Sequence, residues 1–291
     1  MVPCYSRAVP RRVLIIIPCL NERASLPGLI AEVRAAAALT PHALEPVVID
    51  DGSADGTADA ARALGVRCVE LCSNLGIGGA VQTGLRLAAR EGFDCAVQLD
   101  GDGQHPAGAL PALLARLDGP DAPDLVVGSR FLAREGFQST ATRRLGIGWL
   151  SLVLRALSGL RITDPTSGLR VYGLRALWLF DYRYPYDYPE PEALVLAFRA
   201  GLTIVEEPVV MRAREAGQSS IHGLWAAYYM LKVTLAMALS LIRNKRLSRP
   251  LGPLHSEPTW SHLSASAATG SSPRSAGGSP SSSSGSSAAS G

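Results

Sequence analysis

The stretch Cys95-Ala96-Val97-Gln98-Leu99-Asp100-Gly101-Asp102-Gly103-Gln104-His105-Pro106 decides the fold. A short apolar run stops abruptly at two aspartates one residue apart, then continues into Gly, Gln, His and Pro. Similar runs punctuate the first half of the chain at Val13–Ile17, Val47–Ile49, Val66–Leu71 and Leu125–Val127. Runs this short and this rich in Val, Ile and Leu read as strands buried on both faces. Between them lie Ala-, Leu- and Arg-rich segments of helical composition, at 25–39, 55–64, 79–91 and 107–117. Strands alternating with helices imply an α/β fold, a mostly parallel sheet flanked by helices.

In such sheets ligands gather beyond the carboxyl ends of the strands, so each end carries information. They read Pro18-Cys19-Leu20-Asn21-Glu22, Asp50-Asp51-Gly52-Ser53-Ala54-Asp55-Gly56-Thr57, Asn74-Leu75-Gly76-Ile77-Gly78-Gly79-Ala80, Asp100 to Pro106, and Gly128-Ser129-Arg130. Most hold a charged residue where a structural turn needs only Gly, Pro or Asn. Asp100 and Asp102, with Gln104 as a third oxygen, suit a hard cation such as Mg²⁺ or Mn²⁺. The bland alternative is an Asx-turn closing the strand. An EF-hand fits poorly, because Asp51, Ser53, Asp55 and Gly56 match its first positions but Arg62 stands where Glu is required. Gly76-x-Gly78 resembles part of a dinucleotide fingerprint, yet Val81 occupies the third glycine position.

Further along, Asp164-Pro165-Thr166-Ser167-Gly168-Leu169-Arg170 follows a helix with an apolar face of Leu145, Trp149, Leu152 and Ala156. Its opposite face carries Arg144, Gly148, Ser151 and Arg155. A strand is expected over Thr203–Val210. It is followed by Arg214-Glu215-Ala216-Gly217-Gln218-Ser219-Ser220, which reads as a loop able to close over a ligand. Together with Arg130, Arg143 and Arg144 this loop would set cations around the Asp100/Asp102 pair, the combination that holds phosphate groups.

The chain has 291 residues, with 28 Lys and Arg against 25 Asp and Glu, a net charge of +3. So small an excess excludes a dominant nucleic-acid footprint. Cys4, Cys19, Cys68, Cys72 and Cys95 show no metal or disulfide spacing and read as reduced thiols. Residues 1–11 read as an N-terminal extension, since Val13–Ile17 is too short and too soon interrupted by Pro18 for a signal peptide. Residues 12–220 read as the main folded domain. Over 221–247 the apolar stretch Leu224–Ile242 carries Lys232 near its middle and is followed by Arg243, Lys245 and Arg246. A central Lys costs about 2.5–3.5 kcal/mol in a spanning helix, so a helix lying in the membrane interface is expected, with a packed or partner-covered helix and a spanning helix as the alternatives. Residues 248–291, dominated by Ser, Gly, Ala and Pro, read as a disordered tail.

Taken together these motifs resemble the family 2 glycosyltransferases of the GT-A fold, and within them the dolichyl- or polyprenyl-phosphate mannose and glucose synthases, over about residues 12–243. The resemblance implies inverting transfer of a hexose from a nucleotide-diphosphate sugar to a polyprenyl or dolichyl phosphate. The setting it implies is the cytoplasmic face of a membrane, in cell-envelope glycan biosynthesis, in some members with a separate membrane-anchor protein. It implies that Pro18, Leu20, Glu22, Ile49, Asp51, Gly79 and Gly101 line the nucleotide-sugar pocket, and that Asp100, Asp102 and Gln104 hold Mg²⁺ or Mn²⁺. Arg130, Arg144 and Arg214, with Asp102, would act at the donor and acceptor phosphates. Leu20 stands where the family often has Tyr, Ser220 where Lys is common, and Gly101 where Ala is common. Two alternatives accompany this reading: transfer to a glycan hydroxyl with Glu190 or Glu192 as base, and a non-enzymatic dinucleotide-binding module.

Overall fold

A computed structural model describes residues 9–133, 141–212 and 224–243. Seven strands form one sheet: β1 (Arg12–Cys19), β2 (Ala43–Asp50), β3 (Arg67–Glu70), β4 (Cys95–Gln98), β5 (Leu125–Ser129), β6 (Arg170–Gly173) and β7 (Ile204–Pro208). Their order is β3-β2-β1-β4-β6-β5-β7. Only β6 runs antiparallel, to β4 and to β5; the other pairs are parallel. The helices are α1 (Leu26–Ala37), α2 (Thr57–Ala63), α3 (Gly76–Arg90), α4 (Leu110–Ala115), α5 (Arg130–Ala133), α6 (Ala141–Ser158), α7 (Leu174–Tyr182), α8 (Pro189–Arg199) and α9 (Leu224–Arg243).

The run Val13–Ile17 is interior strand β1, between β2 and β4, and is buried throughout. Its alternate residues serve two cores, as strand geometry requires. Leu14 and Ile16 join residues of α3, α7, α8 and α9, whereas Val13, Ile15 and Ile17 join those of α1 and α4. Strand β6 has no counterpart in the sequence reading. Arg-Val-Tyr-Gly carries no apolar run, yet Arg170, Val171 and Tyr172 are all fully buried.

Helix α6 departs from the expected pattern. Ile147, Leu150 and Leu154 face the core, while Leu145, Trp149 and Leu152 are exposed at 77%, 51% and 58%. It packs on α9, where Trp149 Nε1 donates to Thr234 Oγ1 at 3.0 Å. In α9 Val233 and Met237 are buried, and Leu231, Leu235 and Leu239 face outward. Among the described residues no helix is long and apolar enough to cross a membrane.

Candidate active site

The carboxyl ends of β1, β2 and β4 lie side by side, so the loops after them form one stitched surface. Asn21, the one non-glycine residue with positive φ among those described, donates from its backbone to Ser53 Oγ and accepts from the Ala54 N–H, both at 2.9 Å. The Glu22 N–H donates to Thr57 Oγ1 at 3.0 Å. Asp50 accepts from the Ser53 N–H and hydroxyl, closing an Asx-type turn. Asp51 is 4% exposed and accepts from the Leu75 N–H at 2.7 Å, tying the β2 end to the loop before α3. Pro18 and Ile49 are buried strand residues behind these loops, and Leu20 is exposed.

The glycines in the first turn of α3 have structural roles. Gly76 has a φ of 77°, the left-handed region that favours glycine. A Cβ on Gly78 would lie 2.9 Å from the Tyr186 carbonyl oxygen, and one on Gly79 would meet Leu75. Gly76-x-Gly78 therefore reflects a backbone turn at the first glycine and close packing at the second.

Asp100 stands at the centre of the β4 end with its side chain 30% exposed. Its Oδ1 receives the Gln98 amide at 3.4 Å, and His105 Nδ1 lies 3.5 Å from its Oδ2. Gly168 approaches so closely that a Cβ there would sit 3.0 Å from Asp100 Cγ. Asp102 accepts from the Gln104 N–H at 3.0 Å, and the Gln104 carbonyl accepts from Arg212 N–H at 3.0 Å. The loop is joined to β1 through Ser25, whose hydroxyl lies 2.7 Å from the Gly101 carbonyl oxygen and 3.1 Å from Glu22 Oε2. Cys19 lies directly against Gly101. Burial, with Glu22 and Asp50 nearby, pushes its thiol far above the ordinary range.

The next cation is spoken for. Arg130 is 6% exposed and grips fully buried Asp164 with Nε to Oδ2 at 2.6 Å and Nη2 to Oδ1 at 2.7 Å. Asp164 is itself fixed by Glu206, which accepts from the Asp164 N–H and from the N–H and hydroxyl of Thr163. Arg130 thus orders the Asp164–Ser167 loop as well as lying at the β5 end. Arg144 is exposed on α6, in an open groove of about 580 Å³ that it shares with Leu145, Gly148, Trp149 and Leu152. None of the strand-end carboxylates lines that groove. Arg214, the Arg143 side chain and the loop at 213–223 lie outside the described residues, as do the Trp225, Tyr228 and Tyr229 side chains and the 248–291 tail.

Comparison with known proteins identifies this arrangement. The family model described as glycosyl transferase family 2 matches residues 14–175, more than half of the chain. The chain belongs to that family. It is 35% identical to an undecaprenyl-phosphate mannosyltransferase from Micrococcus luteus, over 73% of this chain and 88% of that protein. It is 32% identical to a polyprenol monophosphomannose synthase from Mycolicibacterium smegmatis, over 77% and 86%. The fold is shared with glucosyl-3-phosphoglycerate synthase of Mycobacterium tuberculosis, solved with Mn²⁺, UDP-glucose and phosphoglyceric acid (TM-score 0.59, 21% identity, 79% of this chain and 80% of that one).

For a family 2 transferase the donor set around Asp100 can be tested chemically. Among the described residues no three His, Cys, Asp or Glu side chains cluster into a self-sufficient metal cage. Asp100 and Asp102 instead offer carboxylates that are partly open to solvent. Hard cations that take their remaining ligands from water and substrate phosphates need only one or two carboxylates, so the donor set fits Mg²⁺ or Mn²⁺. Sequence reading missed Gln98, Arg170, Tyr172 and Glu206, the polar residues beneath this surface. The signal for Gln98 was present: a lone amide inside an apolar strand.

Proposed function

We propose that the chain moves a hexose, with inversion, from a nucleotide-diphosphate sugar to a polyprenyl phosphate at a membrane surface. The observation that supports this reading is the set of loops after the mutually parallel strands β1, β2 and β4, which carry Asp51, Asp100 and Asp102 and are joined to one another by hydrogen bonds. Both relatives described above act, by their names, on polyprenyl-type phosphates. Asp100 and Asp102, with Gln104 beside them, would hold a divalent cation, which supplies charge neutralisation at the departing nucleoside diphosphate. Pro18, Leu20, Glu22, Ile49 and Asp51 would flank the nucleotide. Arg130, Arg144 and Arg214 would meet phosphate oxygens, with Arg130 acting from its Asp164 clamp and Arg144 from the α6 groove.

The acceptor phosphate is anionic at neutral pH and attacks without a protein base, so orientation suffices. Transfer to a glycan hydroxyl would need a base. Glu192 does not fit that role, since it accepts from Ser240 Oγ at 2.9 Å and ties α8 to α9. The outward apolar rows of α6 and α9, with Arg243, Lys245 and Arg246 following in the sequence, support docking on an anionic bilayer directly or through an anchor protein.

The test is nucleoside diphosphate release from GDP-mannose and UDP-glucose with Mn²⁺, with and without polyprenyl phosphate. Release is expected only with the lipid phosphate and is expected to vanish in Asp102→Ala. Turnover with a phosphate-free glycan acceptor would favour the hydroxyl reading, and full activity of the Asp102 variant would end the cation assignment.

A further inference from the structure

Beneath the cation seat lies a buried arginine that the proposed chemistry leaves unused. Arg170 is fully buried; its Nε donates to the Ser167 carbonyl at 2.9 Å and its Nη2 to the Pro165 carbonyl at 3.2 Å. Its Nη1 has no hydrogen-bond partner. Arg130 closes bidentately on Asp164, but no carboxylate among the described residues forms an ion pair with Arg170. A guanidinium does not give up its proton, so a charge buried this deeply needs compensation at longer range.

The strand register shows what lies beside it. Arg170 on β6 pairs with Gln98 on antiparallel β4, so the two side chains leave the same face of the sheet. Gln98 is fully buried, accepts from Tyr172 OH at 2.9 Å and passes its amide to Asp100. Glu190, in the first turn of α8, is the other carboxylate of this layer. Burial raises its pKa, Arg170 opposes that rise and Asp100 adds to it. The two carbonyls that Arg170 holds belong to the loop whose next residue, Gly168, presses against the Asp100 carboxyl.

We propose that Arg170 is a positioning residue for the cation seat: it pins the 165–167 backbone so that Gly168 braces Asp100. This rests on the reading of Asp100 as a cation ligand. Arg170→Lys keeps the charge but loses the fork that spans both carbonyls. Its Mn²⁺ dissociation constant, read by electron paramagnetic resonance with GDP or UDP present, should rise about tenfold or more, while its metal-free melting temperature stays near wild type. Its turnover should recover at saturating Mn²⁺, a rescue that a general loss of folded protein would not show. Arg170→Met should lower the melting temperature, because the carbonyls at 165 and 167 both lose their donor. Wild-type Mn²⁺ affinity in a folded Arg170→Lys protein overturns the proposal. A wild-type protein that binds no Mn²⁺ under these conditions would instead end the cation reading of Asp100 itself.

Discussion

Gly168→Ala isolates the brace on Asp100 with one carbon atom. Gly168 is not in the left-handed region, so alanine meets no backbone penalty there. The new Cβ would lie 2.8 Å from Asp100 Oδ1 and 3.0 Å from its Cγ, and closer still to Oδ2. Ordinary contact begins near 3.4 Å, so the carboxyl group must retreat by about 0.4 Å at Cγ and by about 1 Å at its nearer oxygen. Metal-ligand distances tolerate about 0.2 Å, and the retreat would also disturb the contacts from Gln98 and His105. The expected loss is about 10- to 100-fold in both Mn²⁺ affinity and turnover, the usual effect of disturbing a group that orients a ligand. Overpacking costs about 1–3 kcal/mol, which in a chain of this size lowers the melting temperature by only about 2–4 °C per kcal/mol. Mn²⁺ titration and thermal unfolding on the same samples separate the two effects. Gly108→Ala is the control, because nothing lies within 4 Å of a Cβ there. A folded Gly168→Ala protein with wild-type Mn²⁺ affinity would refute the reasoning.

Gly101→Ala would place a Cβ 2.6 Å from Cys19 Sγ; urea unfolding should show a loss of about 1–3 kcal/mol, part of it recovered by adding Cys19→Ala, and strictly additive effects would contradict the contact. Glu190 has its folded-state pKa raised by burial, so its protonated form stabilises the fold: that contribution is complete below the ordinary carboxylate range and is lost as pH rises through the raised value. Melting temperatures of Glu190→Gln should therefore vary less with pH across that window, and a slope equal to wild type would contradict the burial. Vesicle flotation should show binding that increases with anionic lipid and falls when Leu231, Leu235 and Leu239 are changed together to Ser; equal binding to neutral and anionic vesicles would remove the basic residues from the docking argument.

The strands were legible where apolar runs were long enough to repeat, and the loaded ends of β1, β2 and β4 were legible because charge at a strand end is chemically unusual. Strand β6 was not. Its burial depends on Arg170 finding carbonyls at 165 and 167 and lying opposite Gln98 across the sheet, partners that only the folded chain brings near. Local propensity does not contain that information. Arg130 shows a related limit: sequence shows a cation after a strand, whereas the structure shows it committed to Asp164, positioned in turn by Glu206 from a strand far along the chain.

Helix α6 was misleading for a different reason. Periodicity gave an apolar face of Leu145, Trp149 and Leu152, and an apolar face is ordinarily the packed one. This helix has two, and the one that packs is Ile147, Leu150 and Leu154. A helix that keeps Trp and Leu outward on one side, beside another whose Leu231, Leu235 and Leu239 do the same, lowers its free energy only when something apolar covers both. The outward faces of α6 and α9 are joined by the Trp149–Thr234 hydrogen bond, so they would be covered together. A lipid acceptor presents its phosphate at the bilayer surface, and the groove beside Arg144 opens on that same helix. On the function proposed above, docking by these two helices would present the acceptor's charged end to Arg144 while its chain stays in the membrane.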